Sequence, residues 1–263
     1  MKDKDSSLAT GFRDLDRADI SKMMQCLDGL QSLACFQNYK DRTLDLLTGS
    51  MEASALDVAC GLGDDVVRLK QKFGQAIGLD ASAELVAEAI RRHQGEGCEF
   101  CCADAKSLPF AAEEFDAVRV DRSLQHIQDP IAVVREMTRV SRKGGVILCA
   151  EPDWGTFFIG EESTAMTRAI KDRWIQSFQN PWIGRNLFGM MKAAGIGDLS
   201  IETHLLLTTG FAASDLVFDL TKTAEKVETE MGTVAGVSAW LDGYKKSEAI
   251  AGVTLIICYG TKV

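Results

Sequence analysis

The chain has 263 residues, a net charge of −9 and 46% hydrophobic residues, which is long enough to bury a full α/β core and ordinary for a water-soluble domain. The acidic balance argues against a nucleic-acid surface, which draws on clustered Lys and Arg, and no apolar run reaches the roughly 20 residues of a membrane span. The charged start MKDKDSSLATGFRDLDRAD reads as no secretory leader, and eight scattered cysteines suggest reduced, buried thiols in a cytoplasmic protein rather than a disulfide framework.

Residues 1–50 read as helices, with Met23, Met24, Leu27, Leu30 and Leu33 at helical spacing, and are expected to pack as a lid over a site. The run from Ala55 to Gly63 follows, an apolar strand that enters a glycine turn and opens a helix from Asp64 to Phe73. Gly61 and Gly63 let the backbone turn sharply and approach a ligand with no Cβ in the way. A dinucleotide loop needs a third glycine where Val66 stands, and Asp64 and Asp65 at the helix start repel a pyrophosphate. A cationic or uncharged ligand suits this turn better, with a nicotinamide-dependent oxidoreductase as the rival reading.

A second strand, Ala76 to Leu79, ends in Asp80, and Ser82 caps a helix from Ala83 to His93. The pairs Arg91-Arg92 and Arg142-Lys143 fall near helix ends, where cations answer the dipole. Cys98, Cys101 and Cys102 lie on a third strand, and without a second C-x-x-C or a nearby histidine they suggest core packing rather than a metal site. A fourth strand (Phe115 to Val120), a helix (Ile131 to Val140) and a fifth strand (Val146 to Ala150) complete a regular alternation. Such alternation specifies a parallel sheet with helices on both faces.

Ligands of open parallel sheets bind beyond the carboxyl ends of the strands. Here those ends carry Gly61, Asp80, Asp104, Asp121 and Glu151. Asp80 is placed to accept from both hydroxyls of a ribose, and Asp104 from an adenine amino group while the Ala105 N–H donates to the ring. Each acid can equally serve as a helix cap or an Asx turn.

Taken in order, Leu56 to Gly63, Gly78-Leu79-Asp80-Ala81-Ser82, Ala103-Asp104-Ala105 with Leu108-Pro109-Phe110, Phe115-Asp116-Ala117-Val118, Gln125 to Pro130 and Arg139 to Gly145 form a recognisable series. It resembles the class I S-adenosylmethionine-dependent methyltransferases, in particular the small-molecule branch with the ubiquinone and menaquinone C-methyltransferases (methyltransferase type 11). The resemblance implies a Rossmann-like three-layer α/β sandwich whose seven-stranded sheet is mostly parallel, with one antiparallel strand near the edge, plus a helical lid. It divides a single domain, 1–263, into a lid (1–50), a cofactor core (51–151), and acceptor-side helices with closing strands (152–263).

For the cofactor S-adenosyl-L-methionine, the resemblance places the methionine part on the loop of Asp57, Ala59, Gly61 and Gly63. It places ribose on Asp80 beside Ala81, adenine on Asp104 and Ala105, and the amino-acid end on backbone near Asp121 and Arg122. Tyr39 and Arg42 are candidates for the cofactor carboxylate, Arg by its fork of donors; a solvated helix face is the alternative. Ala59 departs from the family's first glycine, which is expected to narrow the loop without abolishing the pocket.

Beyond the core, Glu151-Pro152-Asp153-Trp154-Gly155 reads as an irregular loop facing an acceptor, because of its Pro and Gly. A helix ending at Ala194-Gly195, a strand from Leu199 to Leu207, helices over 212–247 and a last strand from Val253 to Thr261 are expected. Aromatic residues between 154 and 191, among them Trp174, Phe178 and Trp182, favour an apolar or aromatic small-molecule acceptor, though core packing explains them as well. No metal is needed for transfer from a sulfonium; where the acceptor must lose a proton, His126 is the first candidate base and Asp153 the second. A non-catalytic cofactor-binding protein on the same fold stays open, as do the methylated atom and the oligomeric state. An arsenite methyltransferase, prompted by the cysteines, is set aside because Cys98, Cys101 and Cys102 fall on one strand.

Overall fold

Alternate residues of the central strands are apolar on both faces, and the computed structural model, which describes residues 19–160, 164–231, 235–247 and 249–263, buries both. Ala55, Ala117 and Leu148 face one core layer while their neighbours Leu56, Val118 and Ile147 face the other. Two-sided burial is what a parallel sheet requires.

The elements are α1 (Ile20–Gln31), α2 (Ala34–Leu46), β1 (Ser54–Val58), α3 (Asp64–Lys70), β2 (Gln75–Asp80), α4 (Ala83–Arg92), β3 (Glu99–Cys102) and β4 (Phe115–Asp121). They continue with α5 (Pro130–Val140), β5 (Ser141–Ile159), α6 (Ala165–Ile175), α7 (Ile183–Ala193), β6 (Ile196–Thr209), α8 (Phe211–Phe218), α9 (Leu220–Met231), α10 (Ala235–Ser247) and β7 (Ile250–Lys262). The seven-stranded sheet has the order β3-β2-β1-β4-β5-β7-β6. Strands β1 to β5 are parallel and β7 alone runs against its neighbours. The expected architecture is therefore the observed one. Helix α3 packs Val66 and Leu69 on one face of the sheet with Phe36 of α2 and Trp174 of α6; α5 and α7 cover the other with Val133, Met137, Leu187 and Met191.

Several local expectations need correction. The run 151–155 is no irregular loop: β5 continues through it, pairing with β7 as far as Asp153 and again from Phe158, with a bulge between. Pro152 is tolerated there because β4 ends at Asp121, opposite Ala150, so from Glu151 on one edge of β5 lacks a neighbouring strand and needs no N–H. The helical stretch expected over 212–247 is broken, Asp219 taking a left-handed φ of 45° between α8 and α9. Cys98 and Cys101 are half-buried and pack against the two core layers, as expected, whereas Cys102 is exposed because β3 is the edge strand; no metal-holding cluster occurs among the described residues. Arg91 and Arg92 do sit in the last turn of α4, but their main partners are Glu88 and Asp28. Arg142 lies on β5 and pairs with Asp116. No described helix is long and apolar enough to cross a membrane. The part of the lid expected over 1–18 lies outside the described residues.

Candidate active site

The carboxyl ends of β1, β2, β3 and β4 open into a cleft of about 710 Å³, roofed by Met23, Leu27 and Leu30 of α1. Its rim is the turn after β1. Ala59 and Gly61 both take left-handed backbone, with φ of 59° and 57°, and Gly63, at φ 82°, starts α3. A Cβ on Gly63 would come within 2.5 Å of the Phe100 ring, so this glycine is needed for packing under the turn and does not line the cleft.

Asp80 is buried at the end of β2, where Oδ2 accepts from Gly61 N at 2.9 Å and Oδ1 from Ser82 N at 2.9 Å. Burial raises its carboxyl, opposed by these N–H donors. The acid thus braces the glycine turn and still faces the cleft beside Ala81. Asp104 and Ala105 line the far end; Asp104 is exposed and accepts from Lys106 N at 2.9 Å, an Asx turn. On the near side, Lys40, Asp57, Asp65, Asp121 and Arg122 line it.

Beneath them lies a buried charge cluster whose centre, Arg119, has no exposure. β1 and β4 set Asp57 beside Arg119 in register. The guanidinium lies 3.5 Å from Asp57, 3.3 Å from Asp65 and 3.2 Å from Asp121. Lys40 of α2 pairs with Asp65 and lies 3.4 Å from Asp121, to which the Tyr39 hydroxyl donates at 3.1 Å. The three carboxylates are not equivalent. Burial pushes Asp57 up to about 7 against the pull of Arg119, whereas Lys40 and Arg119 overcome burial at Asp65 and hold it well below the usual carboxylate range.

The loop after β4 forms the wall facing β5. Glu151, fully buried, accepts from Ser123 N at 2.7 Å, Leu124 N at 2.6 Å and Gln125 N at 3.3 Å. Asn180, ahead of α7, donates to the Leu124 and Ile127 carbonyls at 2.9 and 2.6 Å. Together these fix the short 3-10 turn Leu124–His126 and present His126 to the cleft. Behind it opens a second chamber of about 60 Å³, whose walls include Phe36, Trp154, Trp174 and Phe178 and which shares Leu30, Arg122, Gln125 and His126 with the cleft. Trp154 stacks on Phe178 at 4.4 Å and donates from Nε1 to Gln125 Oε1 at 2.8 Å.

Six aspartates and three basic side chains line the large cleft, a field that favours a cation over a phosphate. Residues 56–149 match the family described as "Methyltransferase domain". A 37.1 kDa protein of transposon TN4556 from Streptomyces fradiae, described as uncharacterized, is 33% identical over 244 residues, covering 88% of this chain and 69% of that protein. The demethylmenaquinone methyltransferase of Roseiflexus castenholzii is 32% identical over 127 residues, covering 48% of this chain and 53% of that protein; the chain thus spans about half of that enzyme. The YcgJ protein of Bacillus subtilis has the same fold, with a TM-score of 0.65 at 16% identity, covering 86% of this chain and 98% of that one. The chain belongs to the class I S-adenosylmethionine-dependent methyltransferases.

The cofactor of this family is S-adenosylmethionine, and the cleft fits it. The left-handed turn at Gly61 admits close approach, the acid-lined walls suit a sulfonium and an ammonium, and Asp80 and Asp104 present acceptors. Of the residues expected at the cofactor, Asp57, Ala59, Gly61, Asp80, Ala81, Asp104, Ala105, Asp121 and Arg122 line the cleft, and so does His126. Four do not. Gly63 lies beneath the turn, and Tyr39 is fully buried below Asp121. Arg42 turns to β6, where it makes a two-pronged pair with Glu202 at 2.8 and 2.6 Å. Asp153 is buried and taken up by Arg185 at 2.7 Å, with no opening to the cleft. Unforeseen were Lys40 and Arg119, and the pairing of both with Asp65, which was read only as an acid that repels a pyrophosphate. A lone arginine between Val118 and Val120 in a central strand was the available signal, since a charge there must find buried acids.

Proposed function

We propose that this methyltransferase acts on a small, apolar or aromatic metabolite, with His126 as the base when the acceptor must lose a proton. The observation that carries the reading is the aromatic-walled chamber joined to the cofactor cleft through Arg122, Gln125 and His126. S-adenosylmethionine supplies an electrophilic methyl group on a sulfonium. The chain's part is to bind, align and exclude water. Asp80 holds the ribose, Asp104 and the Ala105 N–H meet the adenine, and the loop fixed by Glu151 sets His126 where chamber and cleft meet. The His126 ring packs 5.5 Å from Phe178, so its edge is held against the apolar wall while it serves the acceptor.

The six cleft aspartates also weigh against the nicotinamide reading, since they repel a pyrophosphate. Two measurements test the proposal. Asp80→Ala weakens S-adenosylhomocysteine binding by about 100-fold or more in calorimetry, as expected for losing charged hydrogen bonds to ligand and loop; unchanged affinity would overturn the ribose assignment. Incubation with methyl-labelled cofactor and fractionated cell extract puts label in small organic-soluble molecules; label confined to protein or nucleic acid would overturn the acceptor class.

A further inference from the structure

Strand β6 ends the sheet on the side away from β3, and among the described residues it pairs with β7 alone. An open edge of this kind carries a row of backbone donors and acceptors that accept another strand, and proteins usually guard it with Pro, Lys or a bulge. From Ser200 to Thr209 the strand has no Pro and no Lys, and its register with β7 runs unbroken; the one irregularity lies before Ser200. Its two faces differ. Glu202, His204 and Leu206 lie on the face packed by α2, where Arg42 holds Glu202 by two hydrogen bonds and His204 Nε2 lies 4.0 Å from the same carboxylate. Ile201, Thr203, Leu205 and Leu207 lie on the other face and are all exposed, Ile201 and Leu205 by half. Single exposed apolar residues are ordinary, but a stripe of them along an unguarded edge marks an interaction surface.

What fits such an edge is an extended strand with apolar residues on one face and a partner for an acid on the other. β6 itself has this pattern. When two copies pair antiparallel about a two-fold axis at Thr203, Ile201 of one copy stands opposite Leu205 of the second, and Thr203 opposite its own counterpart. On the other face Glu202 stands opposite His204, whose imidazole can donate to the carboxylate. Neighbouring registers lose this match: an axis at Glu202 sets acid against acid, and an axis at His204 sets Glu202 against Leu206. Each copy brings one acid, one arginine and one histidine to the seam, so the chain's net charge of −9 is not concentrated there. The Cys35 thiol, at the Leu207 backbone, bounds the open stretch at that end. We infer that β6 is the seam of a symmetric dimer, in which two copies of this chain pair antiparallel about Thr203 and join their sheets. No seam residue lines the cofactor cleft, so the inference stands apart from the acceptor reading.

Light scattering on the full-length protein at micromolar concentration is expected to give twice the chain's mass. Leu205→Lys changes an exposed residue and sets a charge against Ile201 of the second copy. It is expected to give the mass of one chain, with S-adenosylhomocysteine affinity within about twofold of wild type as the sign of an intact fold. The register is read by copper-phenanthroline oxidation and non-reducing electrophoresis, the oxidant taking two electrons and solvent two protons for each disulfide formed. Thr203→Cys is expected to crosslink with itself, because the two thiols face each other across the axis. Ile201→Cys and Leu205→Cys are expected to crosslink when mixed and not singly. Wild type sets the background; its exposed Cys102 stands on β3 at the far edge. A wild type with the mass of one chain, a dimer that survives Leu205→Lys, or no crosslink through Thr203→Cys would overturn the seam. Ile201→Cys crosslinking as well alone as in the mixture would overturn the register.

Discussion

The floor of the cofactor cleft and the side chamber are both built largely from buried side chains, but they hold their polar groups in different ways. Under the glycine turn, Arg119 and Lys40 are set among Asp57, Asp65 and Asp121, so charge answers charge inside the protein, although no Arg119 nitrogen makes a hydrogen bond among the described residues. In the chamber, rings pack on rings and two donors are left unanswered. The difference teaches what each region is for. A floor of buried ion pairs presents a fixed acidic surface when a cationic ligand arrives. A chamber walled by rings offers an apolar surface instead.

Breaking the floor has the largest expected effect. Arg119→Met keeps a long side chain and removes the one cation that touches all three carboxylates. Losing one member of a buried ion set leaves uncompensated charge and costs about 3–5 kcal/mol. A matching fall in unfolding free energy by urea titration is expected, together with a rise in the Asp57 carboxyl above its present value of about 7, since Arg119 now holds it down. A loss below about 1 kcal/mol would mean that the floor is not held by these pairs.

Between floor and chamber stands the wall held by Glu151, a buried acid paired with backbone N–H groups and no cation. Burial lifts its carboxyl from an ordinary 4.5 to about 8, against the three N–H donors. Between those values the folded chain keeps a proton that the unfolded chain has released, so stability falls as pH rises through the window. Asp57 adds the same sign up to about 7. Asp65 acts oppositely, its contribution being lost as acid titrates it below the usual range. From about pH 7 to 8 the slope therefore belongs to Glu151 among these three. Glu151→Gln stays neutral, its amide oxygen still accepting from Ser123 and Leu124, and flattens the profile there by up to about 1.4 kcal/mol per pH unit. Urea midpoints measured at half-unit steps check this, and an unchanged slope would show that Glu151 is ionised throughout.

The sequence reading reached these two regions unequally, for physical reasons. The floor's frame was legible because helices separate β1, β2 and β3, and an acid or glycine stands at or just after the end of each strand from β1 to β4, a local pattern. Arg119 and Lys40 were not, because their partners come from separate elements brought together only by packing: Asp57 on β1, Asp65 on α3 and Asp121 on β4. The chamber was legible in composition, from the aromatic residues after 154, but not in geometry. Pro152 and Gly155 read as a broken chain, whereas pairing with β7 carries the strand through. Asp153 looked like an acceptor-side acid for the same reason; a continuous β5 turns it to Arg185 instead. Arg42 was read by type alone, and its carboxylate is Glu202, distant in sequence.

The smallest effect is expected at the rim that joins the two regions. Ala59 stands where the family carries its first glycine and adopts φ 59°, a left-handed backbone that costs an L side chain about 1–2 kcal/mol. Glycine removes that strain but brings about 0.5–1 kcal/mol of extra chain entropy in the unfolded state. The net expectation for Ala59→Gly is a gain of about 0.5–1 kcal/mol, or a melting temperature higher by about 1–2 °C. Affinity for S-adenosylhomocysteine should change by no more than a few-fold, because the floor's ion pairs do not involve Ala59 and Gly61, whose N–H is braced by Asp80, sets the close approach. If instead the variant melts lower and binds much more weakly, the Ala59 methyl is a packed part of the cofactor wall and the rim, unlike the floor, depends on the side chain that departs from the family pattern.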